Sequence, residues 1–100
     1  MQQLRIYTLK DEQSAREYLS THWNRHLESL PKFGINVDKV FMEENSSTNC
    51  RVFALVSSDG DNLSELNAEY MNSEAFKSDM IGFDMSKILK VEDIDITKYI

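Results

Sequence analysis

His22 and His26 are the two histidines of the chain, and Trp23, its one tryptophan, stands between them in THWNRHLESL, residues 21–30. Two imidazoles four residues apart on a helix can grip one metal ion. A stable site needs a third ligand and usually a fourth. Glu28 is two residues from His26 and so turns away from it on a helix. The sequence holds no H-E-x-x-H and no second histidine pair, and spacing alone does not bring Cys50 nearby. No metal is expected. An imidazole, with an ordinary pKa of about 6.5, is also the natural proton acceptor of an active site. That makes His26 the candidate general base. The competing reading is a satisfied, semi-buried histidine on the inner side of a helix. Trp23 could stack a planar ligand or simply pack in the core.

Arg5 and Tyr7 alternate onto one side of a strand. They could hold an anion in a cleft, or pack at an interface, where Arg and Tyr are enriched. Tyr70 is the candidate far wall of the same cleft, or a core residue. Other motifs carry less. Asp59-Gly60-Asp61 lacks the D-x-[DN]-x-[DN]-G calcium spacing and is expected as a turn and helix cap. Ser57 and Ser58 lack a glycine elbow, and no phosphate-cradling GxxxxGK or GxGxxG is present.

Six elements must position these groups. Residues 2–9, QQLRIYTL, read as a strand with Leu4 and Ile6 on one side and Arg5 and Tyr7 on the other. A helix follows, with Ser14-Ala15-Arg16-Glu17 as a capping box after the acidic Asp11 and Glu12. At about 100° per residue, Ala15, Leu19, Trp23, His26 and Leu30 share its inner stripe and His22 lies at the margin. Pro31 and Gly34 stop it. Residues 35–44 read as a strand with Ile35, Val37 and Phe41 on one face. A turn at 45–49 leads to a strand at 50–57, apolar on both faces and therefore central. Asn62-Leu63-Ser64-Glu65 resembles a second helix start, with Leu63, Leu66, Tyr70 and Met71 as its apolar side. Asn72-Ser73 interrupts that helix and EAFKSDM resumes it. The last strand, KILKVEDIDITKYI, slips in phase between Val91 and Ile94, which points to a bulge or a change of partner surface.

The order β-α-β-β-α-β is the split βαβ of an α+β ferredoxin-like fold with a four-stranded antiparallel sheet. Its helices cover one face, so strands apolar on both faces need a second cover. Another copy of the same sheet is the simplest one. A homodimer is expected.

The 100 residues suit one domain, residues 1–100, with 41% hydrophobic and 28% charged residues. The formal net charge of −6 argues against nucleic acid and anionic membranes as partners. Cys50 has no partner for an intramolecular disulfide. No apolar run reaches the roughly 18 residues of a spanning helix. MQQLRIYTL enters a strand pattern rather than a basic and apolar leader. A cytoplasmic location is expected.

LRIYTLK at 4–10, followed by a helix ending in HLESLPKFGI at 26–35, resembles the opening of NIPSNAP-type domains. YMNSEAFKSDM at 70–80 resembles the segment after the second helix in the wider dimeric α/β-barrel superfamily. The resemblance implies a homodimer whose sheets face each other to close a barrel, with a cleft between each subunit's helices and sheet. A small apolar or aromatic ligand would sit there near Arg5, Tyr7, His22, Trp23, His26 and Tyr70. Superfamily relatives include cofactor-free monooxygenases, isomerases and haem-degrading enzymes. The alternatives are therefore a monooxygenase or isomerase with His26 as base, a haem binder with His22 or His26 as axial ligand, and a non-catalytic interaction module.

Overall fold

A computed structural model describes residues 1–45, 47–60 and 62–99. Strand β1 (Gln2–Leu9) lies between β3 (Cys50–Ser57) and β4 (Ile88–Ile96), and β2 (Asn36–Met42) pairs with the outer side of β3. All three pairings are antiparallel, in the order β2-β3-β1-β4. That is the ferredoxin-like sheet expected from the sequence, and β3 is an inner strand as its apolar run requires.

The first helical segment starts earlier than the Ser14 capping box. Asp11 takes the cap, its Oδ1 accepting from the Ser14 N–H at 2.7 Å, and α1 (Glu12–Glu17) follows. A carboxylate beside the unpaired N–H groups also meets the positive end of the helix dipole, which favours Asp over Ser there. The chain continues through a π-helical turn (Tyr18–Trp23) into α2 (Asn24–Ser29) and a 3-10 turn (Leu30–Phe33). A π turn stacks residues five apart rather than four. Tyr18 and Trp23 thus fall on one side, and His22 moves from the margin of the stripe to full burial. Gly34, at φ 82°, takes the left-handed conformation that ends the helix, its N–H bonding Leu30 and Pro31 carbonyls.

The second helical layer is α3 (Leu63–Met71) and α4 (Glu74–Asp79). Asn62 precedes α3 without a side-chain cap bond, whereas Ser73 caps α4 by accepting from the Phe76 N–H. Ser46 and Asp61, within the expected turns, lie outside the described residues.

Against the helices the sheet buries Leu9, Cys50, Val52, Ala54 and Val56. Arg5 and Tyr7 share that side, so they face the helices and not the free face of the sheet. In β2 a bulge between Val37 and Lys39 resets the alternation. Val40 and Met42 then join the core while Phe41 turns to the other face, half exposed, contrary to its expected grouping with Val37. In β4 the bulge sits at Leu89, opposite Thr8 and Leu9. The phase slip beyond it is plain alternation. Val91 serves the helix side, and Ile94 and Ile96 serve the free face.

The free face carries Leu4 and Ile6 on β1, Phe53 and Leu55 on β3, Phe41 on β2 and Ile94 on β4. Registers put Leu4 beside Leu55 and Ile94, and Phe53 beside Ile6 and Phe41. Phe41 and Ile94 are 50% and 45% exposed, so this side of the sheet holds a contiguous apolar patch. Among the described residues no helix is long and apolar enough to cross a membrane.

Candidate functional site

Between the helices and the sheet lies a cavity of about 180 Å³. Its floor is Arg5, Tyr7 and Val56, and its roof is Tyr18, Trp23 and His26 from the first helical segment. Tyr70 and Phe76 close the far end. Met71, Met85 and Val91, each nearly half exposed, stand at the mouth. The rings of Tyr7, Tyr18 and Trp23 pack edge-on with centroids 5.5–6.2 Å apart. The wall is aromatic and sulfur-rich, suited to a flat apolar molecule.

At the far end three side chains form a chain of short hydrogen bonds. The Tyr70 hydroxyl donates to Asp79 Oδ2 at 2.5 Å, and His26 Nδ1 lies 2.5 Å from the same hydroxyl oxygen. Because that hydroxyl has spent its proton on Asp79, His26 must be the donor, with its proton on Nδ1. Nε2 is then an unprotonated acceptor, and it makes no hydrogen bond among the described residues. Burial pushes the His26 pKa down to about 4, despite the opposing pull of Asp79 3.6 Å away. The imidazole is neutral at pH 7. Burial, and then the neighbouring Asp79 charge, raise the Tyr70 hydroxyl well above its ordinary range. Tyr70 is therefore a fixed proton donor.

Asp79 is held by its backbone as well. Its carbonyl lies 2.9 Å from His22 Nδ1 and accepts from Arg25 Nη1 at 3.1 Å. The same Arg25 nitrogen donates to the Ile81 carbonyl at 3.1 Å. His22 is thus a strut for the chain after α4, packed on Phe83, and it does not line the cavity. Both histidines commit Nδ1 elsewhere. Among the described residues no group of three or more His, Cys, Asp or Glu side chains gathers as metal ligands.

Arg5 is 5% exposed and each of its guanidinium nitrogens is engaged. Nε donates to the Tyr7 hydroxyl at 2.9 Å, and Nη1 to Gln3 Oε1 at 3.2 Å and Asp93 at 3.0 Å. The Asn67 amide, oriented with its oxygen toward the guanidinium, accepts from Nη2 at 3.0 Å. With four of its five N–H donors engaged and its charge paired with Asp93, Arg5 braces Tyr7.

Of the residues singled out from the sequence, Arg5, Tyr7, Trp23, His26 and Tyr70 meet at the cavity and His22 does not. Sequence reasoning missed Tyr18, Phe76 and Asp79. Tyr18 is hidden by the π turn, which no propensity announces. Asp79 carries a legible signal. A carboxylate in the last position of a short helix opposes the dipole and needs a specific partner.

The structure is similar to that of an uncharacterised NIPSNAP domain protein from Burkholderia xenovorans, with TM-score 0.67, 9% identity, and coverage of 97% of this chain and 94% of that one. It is also similar to a conserved protein of unknown function and possible oxidoreductase from Bacteroides thetaiotaomicron, with TM-score 0.59, 13% identity, and 95% and 96% coverage. A candidate antibiotic biosynthesis monooxygenase from the same organism matches with TM-score 0.54, 15% identity, and 99% and 90% coverage. No family model matches the sequence, and no curated protein matches it. At these identities the likeness establishes the fold, and the chain is a ferredoxin-like α+β protein.

Proposed function

We propose that the protein binds a small, uncharged aromatic compound in the cavity between helices and sheet. The observation that carries this reading is a 180 Å³ aromatic-walled cavity in a domain small enough to have filled it. Packed interiors rarely leave such voids. Arg5, whose charge is already paired with Asp93, argues for a neutral ligand. The one tryptophan lies in the wall, so titration with 2-naphthol should quench its emission, with a dissociation constant on the order of 10 µM. Val91→Phe, which narrows the mouth, should weaken that binding about tenfold. Unchanged emission at millimolar 2-naphthol would rule the reading out.

The chain Asp79–Tyr70–His26 supports a second reading, in which His26 is a general base. Nε2 would take a proton from the ligand, and the imidazolium formed would be stabilised through Tyr70 by the Asp79 carboxylate. The probe is 2-indanone, whose protons beside the carbonyl exchange with heavy water. The protein should accelerate that exchange, and His26→Gln should slow it at least about tenfold. Equal rates for both proteins would remove His26 as the base.

The apolar free face of the sheet supports a homodimer in which two sheets cover each other, through a self-complementary contact. Cys50, buried and unpaired, suits a reducing compartment and hence a cytoplasmic location.

A further inference from the structure

Three hydrogen-bond donors at one side of the cavity have no acceptor. Trp23 is 3% exposed, lines the cavity, and its Nε1–H has no partner among the described residues. Leaving such a donor buried and unsatisfied costs roughly 1–3 kcal/mol. The Tyr7 hydroxyl accepts from Arg5 Nε, and its own proton goes to no acceptor among the described residues. The Tyr18 hydroxyl, also at the cavity, receives only a loose approach from Trp23 Nε1–H that falls short of a hydrogen bond, and its own proton goes to no acceptor among the described residues. These three rings form one edge-on cluster where β1 meets the π turn. Trp23 can only donate, and the two hydroxyls each have a proton to give. Beside them on the roof, His26 packs edge-on against Tyr18 and Trp23, with Nε2 as an acceptor.

We infer that Tyr7, Tyr18 and Trp23 form a donor cradle for a carbonyl oxygen, so that the ligand is an aromatic ketone rather than a hydrocarbon or an anion. The inference rests on the aromatic-ligand reading above and adds the atom that selects among aromatics. Arg5 sharpens the cradle. By donating to the Tyr7 oxygen it fixes that hydroxyl and makes it a stronger donor, since hydrogen bonds in series polarise one another. Burial pushes the Tyr18 hydroxyl well above its ordinary range, which keeps it protonated and able to donate.

The test compares 2-indanone with indane, which has the same shape and a methylene in place of the carbonyl, by titration calorimetry. The ketone should bind about tenfold tighter, the scale of an orphaned buried donor gaining its acceptor. On binding, its carbonyl stretch should move to lower wavenumber. Tyr18→Phe removes one cradle hydroxyl, and it should cut the ketone-to-hydrocarbon ratio severalfold and reverse part of the stretch shift. Trp23→Phe should act in the same direction and guards against a Tyr18 variant that repacks. Equal affinities with an unshifted stretch would overturn the cradle while leaving the aromatic-ligand reading intact. Binding of neither compound would overturn both.

Discussion

Lowering the pH from 6.5 toward 4 is expected to cost the protein about 3 kcal/mol of folding free energy through His26 alone. The unfolded chain takes up a proton at its ordinary value of 6.5, whereas the folded imidazole resists protonation until about 4. A depressed folded pKa contributes stability that is complete above the unfolded value and is lost as pH falls toward the folded one. The interval is roughly 2.5 units, and each unit is worth about 1.4 kcal/mol. His26 is 3% exposed, so solvent does little to screen the effect. Carboxylates such as Asp11, Glu43 and Asp84, lowered by their own hydrogen bonds, act only further down the scale. Urea unfolding at pH 7, 6, 5 and 4.5 should therefore reveal a slope of about one proton. His26→Gln should flatten that slope. A variant whose stability falls in parallel with the native protein would assign the effect to other groups.

The sheet order follows from alternation along each strand together with the switch to helical period, so it was legible. What the sequence hid were departures from ideal period. The π turn at Tyr18–Trp23 moved His22 inward and brought Tyr18 over the cavity. A stripe drawn at 100° per residue has no place for the extra residue. The Val37/Lys39 bulge likewise sent Phe41 to the opposite face. Much of the candidate site was readable because Arg5, Tyr7, Trp23, His26 and Tyr70 are residue types that bring polar atoms to apolar faces. Asp79 escaped because its partner Tyr70 lies nine residues away on a separate helix, across the Ser73 break.

Leu4→Asp is expected to break the proposed homodimer, weakening self-association roughly a hundredfold. Leu4 lies at the middle of the free face, flanked by Leu55 and Ile94, and is only partly buried in the single chain. The substitution thus leaves the core against the helices unchanged. In a contact related by a twofold axis the same patch is used twice, so one substitution buries two carboxylates with no cation opposite. Of the cations on this face, Lys39 and Lys90 lie on its edge strands, and Arg51, near the start of β3, is already paired with Glu43. Leu27→Asp, on the outer side of α2 and already 46% exposed, is the control and should leave association intact. Sedimentation at micromolar concentration separates the outcomes. A native chain that sediments as a stable monomer would refute the dimer. It would also leave Phe41, Phe53, Leu55 and Ile94 as an uncovered apolar face.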